Sequence, residues 1–135
     1  MTKTISITHN GSTYDGQLAT IKSTTFGTTN APVLTAWLHC EWPGAGIGVG
    51  GYSLDGKPAT GSNDRLPTAQ GLDHLVQMMD TVGVESWEDL PGKQVIVLFD
   101  AGQGGWGGQA VGIANTLDDR VLIFKERFES FKQLA

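Results

Sequence analysis

Cysteine is almost absent from this chain of 135 residues. The single Cys40 has no partner for a disulfide within the chain, which is typical of proteins in a reducing cytosol. It closes the largely apolar run 33–40. We therefore interpret Cys40 as a packed core thiol and not as a nucleophile.

Basic residues and long apolar runs are also scarce. The 9 Lys and Arg residues are outnumbered by 14 Asp and Glu, giving a net charge of −5. Nucleic acid polymers are bound mainly through cations, so we expect none as a partner, whereas a small anionic ligand needs only a few arginines and backbone amides. No run approaches the roughly 20 apolar residues that span a bilayer, and the first residues lack the pattern of a signal peptide. We expect a cytoplasmic protein with no membrane partner.

Catalytic and metal-binding motifs are missing as well. The three His residues form no H-x-x-x-H pair, no C-x-x-C occurs, and there is no G-x-S-x-G nucleophile motif. The acidic pairs at 88–89 and 118–119 lie in polar turns, where carboxylates commonly act as caps. We predict no catalytic residues, no metal and no cofactor, and an enzyme ranks behind a binding protein and an interaction module.

Glycine is what the sequence does have, with 19 residues concentrated at 44–56 and 102–112. Both clusters match the dinucleotide-binding pattern G-x-G-x-x-G, at 46–51 and at 102–107. That pattern binds pyrophosphate only where the glycine turn opens a helix. Residues 52–61 contain Pro58 and two glycines and cannot open one, and no helical pattern follows the second cluster. The Rossmann interpretation is therefore rejected.

The order of patterned segments predicts the fold class. Hydrophobic residues make up 39% of the chain and charged residues 17%, which favours one globular domain over 1–135. Asn10-Gly11 is typical of a type I′ hairpin, and runs of strands with few helices between them indicate an α+β fold. We predict an antiparallel sheet of about five to six strands with two helices packed on one face. The predicted strands are 4–9, 18–25, 33–42, 48–54, 93–99 and 111–114, and the predicted helices are 68–82 and 125–134.

Apolar spacing within the two helices predicts which sides face the core. The first helix, capped by Thr68 and Gly83, is expected to bury one face: Leu72, Leu75, Val76, Met79 and Val82. His74 falls between these positions and is interpreted as a surface or boundary residue. The second helix carries an aromatic stripe expected to dock on the sheet: Phe124, Phe128 and Phe131.

The first glycine cluster is the candidate binding site. Its lack of side chains at Gly50 and Gly51 would expose backbone to a planar or anionic ligand, although glycines at bulges and tight bends are an equally good explanation. Tyr52 offers a ring for stacking, Asp55 a carboxylate for ribose hydroxyls, and Arg65 a partner for phosphate. Trp106, beside the second cluster, is a further aromatic candidate.

Arg120 is the second candidate phosphate ligand. The alternative is a local salt bridge with Asp118 or Glu126.

A separate prediction concerns the edge of the sheet: residues 44–52 present few side chains, and unprotected edges of this kind tend to be paired or covered. We expect a homo-oligomer, at least a dimer.

Four stretches, taken in order, resemble a family of small bacteriophage proteins. They are Lys22-Ser-Thr-Thr-Phe-Gly27, residues 33–38, Gly50-Gly-Tyr-Ser-Leu-Asp55, and residues 82–93. The most specific pieces are Gly-Gly-Tyr-x-Leu-Asp and Gly-Val-x-Ser-Trp-x-x-Leu-Pro-Gly-Lys, and the resemblance runs from about residue 18 to 125. The chain is similar to the phage anti-Thoeris family, which sequesters cyclic ADP-ribose-type immune signals.

The resemblance implies a non-enzymatic anti-defence protein that binds a nucleotide signal, with pockets between the protomers of a homo-oligomer. It also implies an antiparallel sheet with helices behind it. The chain departs from the family pattern at 100–110 and at 26–31, so the ligand stays open between cyclic ADP-ribose-type molecules and cyclic oligonucleotides. The alternative function is a phage interaction module that inhibits a host protein by adding a strand to its sheet.

Overall fold

A mainly antiparallel β structure with two helices makes up the computed structural model, which describes residues 5–30, 33–58, 64–102 and 108–134. The helices are α1 (Ala69–Val82) and α2 (Phe124–Leu134), and a short 3₁₀ turn covers Trp87–Asp89. The strands are β1 (Ile5–His9), β2 (Ser12–Asn30), β3 (Val33–Trp42), β4 (Ala45–Ser53), β5 (Asp55–Gly56), β6 (Leu66–Pro67), β7 (Gln94–Asp100), β8 (Gly112–Ala114) and β9 (Val121–Ile123).

The main sheet has seven strands in the order β4-β3-β2-β7-β8-β9, with β1 paired to the start of β2. All of its pairings are antiparallel. The long β2 joins its two halves, because residues 14–20 pair with β7 and residues 20–30 pair with β3. The strands β5 and β6 form a separate two-stranded ribbon. The predicted α+β class is confirmed, with β9 as a strand that the sequence patterns did not reveal.

Local sequence signals determine several of these boundaries. Asn10 and Gly11 have φ angles of 49° and 82°, as the predicted type I′ turn requires. The Oγ1 atom of Thr68 accepts a hydrogen bond of 3.0 Å from the Gly71 amide, and Gly83 ends α1 with φ at 97°. The predicted caps of α1 are thus confirmed.

The hydrophobic core lies between the sheet and both helices. Alternate residues of β7 face it, and Met78 of α1 and Phe124 of α2 are fully buried in the same cluster. Phe128 packs against that cluster and Phe131 is half-buried, as expected for a docking stripe. A second cluster lies on the other side of β7, β8 and β9, around Tyr14, Leu98, Ala114 and Ile123.

The predicted core face of α1 was partly wrong. Leu75, Met79 and Val82 pack against the core, but Leu72 and Val76 are exposed. The buried side instead contains Gly71, His74, Met78 and Thr81. A Cβ at position 71 would overlap the backbone of Leu54, so glycine lets this side of the helix approach the chain most closely. His74 is consequently only 2% exposed, and its interpretation as a surface or boundary residue was wrong.

Candidate functional site

A β-bulge interrupts the glycine-rich strand β4. Trp37 pairs with Gly50 but Thr35 pairs with Ser53, so β4 carries one more residue than β3 over this interval. Gly50 and Gly51 have φ angles of 99° and 71°, which residues with a side chain rarely adopt. The bulge therefore accounts for glycine at both positions and turns the strand at the point where the candidate site begins.

The indole of Trp37 lies against the glycine strand. A Cβ on Gly48 would stand 2.8 Å from the Trp37 ring, and one on Gly51 would overlap the ring. The missing side chains thus make room for an aromatic ring of the same chain. Gly50 and Gly51 were predicted to leave the backbone open to a ligand; at Gly51 the close approach is made by Trp37, as it is at Gly48.

Tyr52 follows the bulge and joins a cluster of aromatic rings. Its ring centroid lies 5.6 Å from that of His74, 5.4 Å from Phe124 and 5.0 Å from Phe128, in edge-on arrangements. Such contacts favour one ring orientation. Burial raises the pKa of the Tyr52 hydroxyl, yet 37% of the residue is exposed. Tyr52 is therefore a fixed ring with an accessible surface.

His74 lies beneath this cluster and is the functional candidate that the sequence patterns missed. Burial lowers its pKa to about 4, so the ring is neutral near pH 7. Its Nε2 atom has no hydrogen-bond partner within the described residues, and a Cβ on Gly50 would stand 3.7 Å from it. Gly71, one turn earlier, was the available signal, because a helix glycine can mark the side of closest packing.

Asp55 and Arg65 bind each other. The closest pair of atoms, Arg65 Nη2 and Asp55 Oδ1, is 2.9 Å apart, and the side chains are 7% and 24% exposed for Asp55 and Arg65 respectively. The Leu34 amide donates a second hydrogen bond of 3.1 Å to Asp55 Oδ2. The hydrogen bond from Arg65 is the main cause that lowers the pKa of Asp55, so the carboxylate is ionised. The pair ties β5 to the start of β6 and to β3.

The second predicted phosphate ligand, Arg120, lies elsewhere. Arg120 bonds to Asp118 at 2.9 Å and to the Asp80 carbonyl, beside the C-terminal end of α1. This is the local salt bridge considered as its alternative, while Glu126 contacts Asn10 and His9. The candidate site lies near the opposite, N-terminal end of α1, where Gly71 packs beside Leu54. Trp106 falls outside the described residues.

The only cysteine of the chain is buried. Cys40 belongs to the core, as predicted, and burial raises the pKa of its thiol to about 12.

Among the described residues, no group of three or more His, Cys, Asp and Glu side chains could hold a metal ion. Of the helices in the described ranges, none has the length and apolar character needed to cross a membrane.

The candidate site is thus formed by the end of β4, by β5 and by the residue that precedes β6. It contains Gly50, Gly51, Tyr52, Asp55 and Arg65, which are five of the seven predicted ligand residues. No protein-family model matches the chain, and no curated protein or solved structure matches it. The resemblance to the phage anti-Thoeris family stays a prediction.

Proposed function

We propose that this protein binds and sequesters a small nucleotide signal without converting it, as a phage anti-defence protein in the host cytoplasm. The ligand is a cyclic ADP-ribose-type molecule or a cyclic oligonucleotide, bound by a homo-oligomer. The observation that carries the proposal is that one bulged strand end holds both a fixed aromatic ring, Tyr52, and the anchor of an ion-paired arginine: Arg65 donates a hydrogen bond of 3.1 Å to Ser53, the residue after Tyr52. The family resemblance supports the same function.

Each group at this strand end has a role that suits a nucleotide. The exposed part of Tyr52 is the proposed stacking surface for a base, and contacts with His74, Phe124 and Phe128 hold the ring in one orientation. Arg65 donates to Asp55 through Nε and Nη2, and a guanidinium has five N–H donors in all. Asp55 therefore orients Arg65 toward phosphate, in addition to its proposed contact with a ribose hydroxyl.

The states of Cys40 and His74 support binding without turnover. A thiol with a pKa of about 12 is almost wholly protonated at neutral pH and is a poor nucleophile. An imidazole with a pKa of about 4 is a weak general base, and His74 is too buried to meet a substrate. Cys40 and His74 are thus both in unreactive environments.

Calorimetry with cyclic ADP-ribose isomers and with cyclic di- and trinucleotides tests the proposal. We expect tight binding to one of them and recovery of the intact ligand after denaturation. Replacing Arg65 by Ala is expected to weaken binding by roughly ten- to a hundredfold, as for loss of a charge-assisted hydrogen bond. Recovery of a degraded ligand, or absence of binding to every nucleotide tested, would contradict the proposal.

Arg120→Ala is the matched variant, because it removes the same side chain from a different Asp pair. An equal loss of affinity would support the second predicted phosphate contact. An unchanged affinity would leave Arg120 as the partner of Asp118 only. Thermal unfolding of both variants separates loss of binding from loss of folding, since Arg65 also bonds to Ser53 and Asp55 within the fold.

A second candidate function rests on the position of β4. It is the terminal strand of the main sheet, and no described strand occupies its outer edge, where a strand from another protein would fit. The protein would then inhibit a host protein by strand addition. A stoichiometric host partner captured from lysate, with no small molecule in the heat-released extract, would favour this function over nucleotide binding.

A further inference from the structure

Among the strands that the structure describes, none pairs with the outer edge of β4. It is terminal in the order β4-β3-β2-β7-β8-β9, and it spans nine residues from Ala45 to Ser53. Edge strands usually carry Lys, Pro or inward-pointing charges that prevent pairing with other chains. The sequence of β4, AGIGVGGYS, contains none of these. Its one protective feature is the bulge at Gly50 to Ser53, which leaves 45–49 regular.

The hairpin between β3 and β4 determines which backbone groups point outward. Its loop has two residues, Pro43 and Gly44, so the flanking pair Trp42 and Ala45 is hydrogen-bonded. Hydrogen-bonded and non-bonded pairs alternate along an antiparallel ladder. Ile47 and Val49 therefore bond to β3, whereas the N–H and C=O groups of Gly46 and Gly48 point to the free edge.

Charge indicates what kind of strand can occupy that edge. The whole chain has a net charge of −5, so two copies carry net charge of the same sign and repel each other on average. The strand β4 carries no charged side chain, so two copies can meet there without placing carboxylates opposite each other. Antiparallel pairing about a two-fold axis at Ile47 would place Gly46 of each copy opposite Gly48 of the other, so that every outward group finds a complementary one.

We infer that β4 pairs with β4 of a second copy through residues 45–49, making one continuous sheet across a symmetric dimer. Five paired residues bury less surface than a stable interface of about 1,200 Å² requires, so the contact also includes flanking side chains. Tyr52, 37% exposed just beyond the bulge, is the nearest large one along β4. The inference deepens the homo-oligomeric part of the proposed function, but it requires no ligand.

Hydrogen exchange on the ligand-free wild-type protein tests the pairing without any substitution. The amides of Ile47 and Val49 bond within the chain, so we expect them to exchange slowly at every protein concentration. The amides of Gly46 and Gly48 are expected to exchange rapidly at low concentration and to become protected as concentration rises. If the exchange rates of the Gly46 and Gly48 amides do not change with protein concentration, the inference is overturned.

Light scattering on two variants gives the second test. The wild-type protein is expected at about 29 kDa, twice the 14.4 kDa of one chain. Gly46→Pro removes an outward N–H and should raise the dimer dissociation constant by at least about tenfold. Gly46→Ala is the matched control, because it adds a Cβ at the same place but keeps the N–H, and it should stay dimeric.

Circular dichroism and thermal unfolding establish that both variants are folded. A monomeric wild type at high micromolar concentration would overturn the inference, as would a Gly46→Pro protein that is folded and dimerises as well as Gly46→Ala. These measurements use no nucleotide. Failure of the dimer and failure of nucleotide binding are therefore separate results.

Discussion

At the scale of single residues, His74 is the most unusual side chain in the described part of the fold. It is 2% exposed, its Nε2 atom is unpaired within the described residues, and it lies edge-on to Phe124 with ring centroids 5.2 Å apart. Desolvation is the main cause of its low pKa, and the nearby Asp73 carboxylate opposes the shift only in part. The ring is thus held neutral in a place where the charged form is unfavourable.

This environment predicts how stability depends on pH. The unfolded chain takes up a proton at His74 near pH 6.5 and the folded chain near pH 4, so the unfolded state binds more protons in between. The free energy of unfolding should therefore fall as pH drops from 6.5 toward 4, by up to about 3 kcal/mol from this group. Urea denaturation at several pH values in this range measures the effect.

His74→Phe provides the comparison for that experiment, because it keeps an aromatic ring and removes the titrating group. The variant should lose stability less steeply between pH 6.5 and 4 than the wild type. Asp73 does not confuse the result, since its bond to Arg127 lowers its pKa below the usual 3.8 and its contribution is lost at still lower pH. Parallel pH profiles for the two proteins would show that His74 does not control this dependence.

At the scale of secondary-structure elements, the β4 bulge depends on the fit between Gly51 and Trp37. Replacing Gly51 by Ala would place a methyl group in the indole ring and a side chain at a φ of 71°. We expect a loss of roughly 2–4 kcal/mol in the free energy of unfolding, from overpacking together with backbone strain. Denaturant unfolding measures it.

The same substitution in a Trp37→Leu protein separates the two causes. Without the indole, Gly51→Ala should lower the free energy of unfolding only by the backbone strain, about 1–2 kcal/mol. The difference between the losses measured in the two backgrounds is the coupling energy between positions 37 and 51. Equal costs in both backgrounds would mean that the ring does not require the glycine. Gly27→Ala, in β2 where nothing lies within 4 Å of an added Cβ, serves as a control for the substitution itself.

Element types were easier to predict from the sequence than element orientations. Thr68, Gly83 and the Asn10-Gly11 pair fixed the ends of α1 and the first hairpin because capping and positive φ depend on local chemistry. The rotation of α1 was mispredicted because half of its 14 residues are apolar, so the apolar pattern fits more than one buried side. Contact between Gly71 and Leu54, 17 positions apart, decides which of them are buried.

At the scale of the whole molecule, the candidate site was predictable as a region but not as a set of contacts. Gly50, Gly51 and Tyr52 are neighbours in sequence, and the short β5–β6 ribbon brings Arg65 to Asp55. Arg65 binds Asp55 and Arg120 binds Asp118. These pairings depend on the three-dimensional arrangement of the charges. A sequence shows which charges are present but not which of them are already paired.

Ligand binding and self-association are expected to be linked across the molecule. If the nucleotide lies at Tyr52 and Arg65 beside a β4–β4 interface, it binds the dimer more tightly than the monomer. Each bound ligand must then strengthen the dimer by the same factor, because coupling between two equilibria is reciprocal. We expect saturating ligand to lower the dimer dissociation constant and Gly46→Pro to weaken ligand binding, although residue 46 lies outside the predicted ligand residues.

Sedimentation with and without the nucleotide, combined with calorimetry on wild type and Gly46→Pro, measures both sides of this linkage. Gly46→Ala should match the wild type in both experiments. Arg65→Ala should lose affinity for the ligand while keeping the ligand-free dimer, because its contacts lie within one chain. Ligand affinity that stays the same in a monomeric Gly46→Pro protein would place the nucleotide within a single chain and contradict a pocket between protomers.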